Sequence, residues 1–63
     1  MTARLLTADE VAERLAVPER WVMEASRRGE LPVVRLGRFR RFDERDIEAW
    51  LDAQRAATNK EDR

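Results

Sequence analysis

The chain's capacity for chemistry lies in its arginines. Seven of its 13 basic residues fall in one stretch: Arg20, Arg27, Arg28, Arg35, Arg38, Arg40 and Arg41, with only Glu24 and Glu30 among them. That stretch carries +5, residues 1–19 carry −2 and residues 42–63 carry −3, so the net charge is zero. A neutral chain with a positive centre is polarised. Polarity on this scale points to a polyanion partner, with a solvated charged surface as the plain alternative. Other chemistries are poorly provided for. With no cysteine and no histidine, the chain lacks the usual zinc ligands and any Cys or His nucleophile or base. Two glycines cannot build a phosphate-cradling loop, and Asp43 and Asp46 are spaced as a helix cap rather than a catalytic pair. The sequence therefore predicts a binding protein rather than an enzyme, with no cofactor and no metal.

The elements that must position these arginines are marked by caps and breakers. Thr7-Ala8-Asp9-Glu10 is a capping box, and Leu6 and Val11 have the spacing of a hydrophobic staple. Ala8, Val11, Ala12 and Leu15 follow the i, i+3, i+4, i+7 rule, which predicts a first helix over 8–16 with Asp9, Glu13 and Arg14 outward. Val17-Pro18 ends it. Proline is tolerated in a first turn, so a second helix begins at once near Glu19. Two helices joined by so short a turn have helix-turn-helix geometry. On the second, Val22, Ala25, Ser26 and Gly29 make the inner face, Arg20, Glu24 and Arg27 point the other way, and Trp21 and Met23 flank them. Arg27 and Arg28 suit the negative end of that helix, and Gly29 suits the left-handed position beyond it.

Val33-Val34-Arg35-Leu36, then Gly37, then Arg38 to Phe42 predict a β-hairpin. Gly37 can open a two-residue type II′ turn with Arg38 second, which pairs Leu36 with Phe39. Both hairpin faces mix apolar and basic residues, so the pattern leaves open which is buried. Asp43 caps a third helix with Asp46 in its third position, and Phe42 with Ile47 makes a second staple. Ile47, Trp50 and Leu51 form its apolar stripe; Glu48, Asp52 and Arg55 face outward. Residues 1–57 read as one domain with Val11, Leu15, Val22, Phe42, Ile47, Trp50 and Leu51 in its core, worth about 3–5 kcal/mol at this size. Residues 58–63 form a polar tail expected to fray. With 41% charged residues, no signal-like run and no membrane-length apolar segment, a soluble, cytoplasmic protein is expected.

The order of elements is helix, tight turn, helix, hairpin, helix. That is an α+β, mostly helical fold with the logic of a small winged helix-turn-helix. Its second helix has the width of the DNA major groove, and its arginine-tipped wing reaches the next groove or its phosphates.

Four segments carry a resemblance to a known family: LLTADEVAERLAV, the helix ending RRGELP, VVRLGRFRRF, and DERDIEAWL. Taken in that order over Leu5–Leu51, they resemble the excisionase-type, MerR-like winged helix-turn-helix domains of phages and bacteria. The resemblance implies a recombination directionality factor, which binds and bends attachment-site DNA in several copies so that a tyrosine integrase excises a prophage or integrated element. A small MerR-like transcription regulator is the alternative within the same family, and a protein-interaction module meeting an acidic partner is the alternative outside it. Implied partners are double-stranded DNA with attachment-site repeats, the integrase and further copies of the chain, with no membrane and no small-molecule ligand. The implied location is the cytoplasm of a bacterial host, on DNA. By position, the family's recognition-helix contacts fall on Arg20, Trp21 and Glu24, and its wing-tip arginine on Arg38. Arg27, Arg28, Arg35, Arg40 and Arg41 complete the expected DNA-binding set. Two departures stand out: Pro18 replaces the usual polar cap, and Arg40 replaces an aromatic.

Overall fold

The structure, a computed structural model, describes residues 4–61. Thr7 starts α1 (Ala8–Leu15) through the expected capping box: its Oγ1 accepts from the Glu10 N–H at 3.3 Å, and Glu10 Oε1 accepts from the Thr7 N–H at 2.9 Å. That second bond, with Arg4 alongside, holds the Glu10 carboxyl below the usual carboxylate range. The amphipathic spacing buries Val11 and Ala12. The helix stops one residue before the expected boundary, because Ala16 turns left-handed at φ 59°, ψ 45°. There the Val17 N–H donates to the Ala12 carbonyl at 3.0 Å and closes the helix end.

Pro18 leads directly into α2 (Glu19–Arg27) with no side-chain cap, so only Ala16–Pro18 separate the two helices. The second helix ends at Gly29 (φ 76°), with the Glu30 N–H donating to Ala25 O at 2.8 Å and the Gly29 N–H to Ser26 O at 3.2 Å. This left-handed exit turns Leu31 into the core, where it is 2% exposed.

Three short antiparallel strands follow the order β1-β3-β2: β1 (Leu5–Leu6), β2 (Val34–Leu36) and β3 (Phe39–Asp43). The expected hairpin is β2–β3, with Leu36 opposite Phe39. Gly37 has φ 61° and Arg38 has no positive φ, the sign pattern of the expected type II′ turn. The added strand, β1, follows from the cap. Thr7 must be extended to cap α1, which lays Leu5 and Leu6 along β3 opposite Asp43 and Phe42.

Register settles the hairpin faces, since directly opposed residues share a side and neighbours in sequence alternate. Leu6, Arg35, Arg40 and Phe42 share the core side; Leu5, Val34, Leu36, Phe39 and Arg41 share the outer side. Asp43 Oδ1 then accepts from the Arg45 N–H at 2.9 Å and starts α3 (Glu44–Glu61). The helical backbone continues past Ala57, where the sequence places the start of a polar tail, because no glycine or proline interrupts it. Residues 62 and 63 of that tail lie outside the described residues.

Leu6, Val11, Ala12, Val22, Ala25, Leu31, Phe42 and Ile47 form the core. Leu15, Trp50 and Leu51, which the sequence places inside, are half-buried at its edge. Arg14 ties α1 to α3, its Nη1 lying 2.9 Å from Glu44 and 3.2 Å from Glu48, and the two carboxylates hold it firmly charged. No helix among the described residues is long and apolar enough to cross a membrane.

Candidate nucleic-acid interface

The outer face of α2 is set by what its inner face buries. Val22, Ala25 and Ser26 point into the core, so Arg20, Glu24 and Arg27 emerge on the opposite side, exposed, with Arg28 beyond them. No ion pair joins Arg20 to Glu24 four residues on. Arg28 Nε lies 3.4 Å from Glu30 Oε2, but each side chain is 58% exposed, so water screens the pair and little binds it. Trp21 is half in and half out. Its ring meets that of Trp50 edge-on at 6.4 Å and 62°, which braces α2 against α3 and leaves its other edge in solvent.

The wing carries the other four arginines. Arg35 and Arg38 are exposed, whereas Arg40 and Arg41 are half-buried. Arg40, on the core side, reaches back until its Nη1 lies 3.5 Å from Ser26 Oγ; that hydroxyl in turn donates to the Met23 carbonyl at 2.9 Å. This arginine therefore links the wing to α2. Arg41 Nη1 donates to the Arg40 carbonyl at 2.9 Å, and its guanidinium carbon sits 5.4 Å from the Phe39 ring centroid. Arg35 and Arg40 are direct cross-strand partners, and like charges so placed repel.

Charge pairing separates this surface from the rest of the molecule. Among the described residues the other ion pairs are Arg4–Glu10, Arg14 with Glu44 and Glu48, Arg45–Asp43 and Arg55–Asp52. All lie around α1, β1 and α3, where acidic groups neutralise their own basic neighbours. Arg20, Arg27, Arg35, Arg38, Arg40 and Arg41 have no carboxylate partner among the described residues. Arg40 joins the two elements through Ser26, so basic residues of the wing adjoin α2 at that point. A shallow cleft of about 410 Å³ lies where the start of α1 (Thr7–Asp9), Glu19 and Met23 of α2, and Arg38–Arg41 of the wing meet. Among the described residues no group of three or more His, Cys, Asp or Glu is placed to hold a metal ion.

Two residues with a place in this surface escaped the sequence reading. Leu36 and Phe39 are 47% and 56% exposed at the wing tip. The signal was present in Phe39 and Phe42, which are three apart on one strand and so must face opposite ways. Only one can enter the core, and the Phe42–Ile47 staple marks which.

Comparison with known proteins bears on the same elements. No curated protein and no solved structure matches the chain. A family model described as a helix-turn-helix domain matches residues 5–55, from β1 through both helices and the wing into α3. The three-residue turn, the outward arginines of α2 and this match agree, and the chain belongs to that helix-turn-helix domain family, a family of small DNA-binding domains.

Proposed function

We propose that the protein is an excisionase-like factor that binds and bends duplex DNA and so directs a tyrosine integrase toward excision. The observation that carries the DNA-contact part of this reading is the set of unpartnered arginines on α2 and the wing. Folding leaves Arg35 facing Arg40 at a repulsive cost, which a phosphate between or beside them offsets. α2 enters the major groove and presents Arg20 and Glu24 to base edges, with Arg27 and Arg28 on phosphates. Glu24 accepts from a cytosine amino group, the usual base-edge partner of a carboxylate. Arg38 at the wing tip enters the neighbouring minor groove, and Arg35 lies against the backbone. Arg40 and Arg41 act mainly from behind, through Ser26 and Phe39. Trp21 sets the angle of α2 through Trp50.

The excision role rests on the family resemblance and on size. One copy of about 600–1,000 Å² of interface reads little sequence, so specificity calls for several copies side by side. Exposed carboxylates on α1 (Asp9, Glu13) and α3 (Asp46), which have no ion-pair partner among the described residues, complement a neighbour's basic centre in a head-to-tail contact that does not close on itself. The protein is a monomer or weakly associating species when free, and copies bind DNA cooperatively. The role is non-catalytic.

A permuted-fragment bending assay tests this on a duplex selected by the protein from a random pool and carried in one and in three tandem copies. Cooperative occupancy with a bend that grows with copy number supports the excision role. Independent, unbent binding of single copies removes it and leaves a small transcription regulator using the same surface.

A further inference from the structure

The wing tip carries an apolar pair for which packing gives no reason. Leu36 and Phe39 oppose each other across the Gly37-Arg38 turn, on the side of the sheet away from the core. Single exposed apolar side chains are ordinary. These two differ in being paired, flanking Arg38, and being held in place. Arg41 is anchored to the Arg40 carbonyl at 2.9 Å, and its guanidinium packs on the Phe39 ring at 5.4 Å, bracing the ring from behind. Phe39 also borders the cleft shared with Thr7–Asp9 at the start of α1 and with Glu19 and Met23 of α2, so the tip lies beside the N-terminal turns of both helices.

We infer that Leu36 and Phe39 form an apolar wedge that enters the minor groove beside Arg38 and partly unstacks one base step, kinking the duplex. The inference rests on the DNA reading above and gives its bend a physical origin. Phe and Leu wedges in the minor groove kink DNA by roughly 20–90°, and the cost of unstacking is recovered by the contacts the bend allows. Pyrimidine–purine steps open most easily, so the wedge prefers such a step at the point where the wing sits, without hydrogen bonds to its bases. DNA fits this tip better than a protein does. Any occupant must also accept the unpaired Arg38 between Leu36 and Phe39 in the turn, and a phosphate backbone supplies that charge along its whole length.

The test uses the full chain and a 30-bp duplex, selected by the wild-type protein from a random pool and carrying a donor and acceptor dye at its ends. Phe39→Ala and Leu36→Ala are compared with wild type, with Phe39→Leu as the apolar rescue and Arg38→Ala as the charge control. Leu36→Ala serves alone if Phe39→Ala fails to fold. The wedge predicts that either Ala variant keeps the wild-type salt slope and loses most of the energy-transfer change, and that Phe39→Ala loses about 5–160-fold in affinity, the range for removing a ring from a stack. Phe39→Leu recovers much of the bend, while Arg38→Ala lowers the salt slope. Equal bending by wild type and both Ala variants overturns the wedge and leaves DNA binding intact. So does a loss of self-association in the free protein with bending unchanged, which would make the tip a contact between copies. Failure of the wild type to bind any duplex at low salt would instead remove the DNA reading itself.

Discussion

The turn between α1 and α2 contains a residue of the wrong type, and replacing it should stabilise the protein. Ala16 sits at φ 59°, ψ 45°, and no other non-glycine described residue has a positive φ. The left-handed region costs an L-residue about 1–2 kcal/mol, because Cβ approaches the following carbonyl oxygen. Glycine removes that strain but adds freedom to the unfolded chain, which takes back about 0.4–1 kcal/mol. Ala16→Gly should therefore gain about 0.5–1 kcal/mol, raising the melting midpoint by roughly 2–8 °C in a domain this small. Ala16→Val should move the other way by more than 1 kcal/mol, since a β-branched side chain is a true outlier there. Urea and thermal melts followed by circular dichroism measure all three proteins. DNA affinity should not change with glycine, because the turn already holds the geometry glycine prefers. A Gly variant less stable than wild type would refute the reasoning and mean that the α1–α2 turn is not left-handed in solution.

Three further perturbations separate the fold from the interface. Phe42 is 0% exposed, so Phe42→Ala should cost about 3–5 kcal/mol, comparable to the whole core contribution, and leave the chain unfolded at 37 °C by circular dichroism. Arg38→Ala should leave the midpoint unchanged and weaken duplex binding by roughly 1–3 kcal/mol; equal melting losses in both variants would make Arg38 structural. The Glu10 carboxyl is held low in the folded state by the Thr7 N–H. Its contribution is thus present above the ordinary carboxylate pKa and is lost as pH falls through the folded value. A pH series of urea midpoints should show Glu10→Gln less stable than wild type at neutral pH, with the difference closing in acid.

Much of the fold was legible because its signals are local. The Thr7–Glu10 capping box, the Pro18 start of α2, the Gly29 exit and the Leu36–Phe39 pairing each follow from a few residues whose backbone needs are specific. What escaped was non-local or depended on phase. The Leu5–Leu6 strand pairs with residues nearly forty positions away, and two residues carry no periodicity to announce it. Leu31 enters the core only because the left-handed exit at Gly29 redirects the chain. The site divided in the same way. Charge counting found every arginine of α2 and the wing, but not which of them the fold employs. Arg40 reaching Ser26 and Arg41 stacking on Phe39 are settled by strand phase, and a hairpin with arginines on both faces does not disclose its phase.

The central claim is that the unpartnered arginines of α2 and the wing meet phosphates, and salt tests it most directly. A random 20-bp duplex is titrated with wild-type protein between 50 and 200 mM NaCl, with binding read by anisotropy of labelled DNA. Neutralising about five phosphates gives a log–log slope near −4.5 and a loss of roughly 500-fold in affinity across that range, despite a net charge of zero. A flat response, or no binding at 50 mM, would contradict the account.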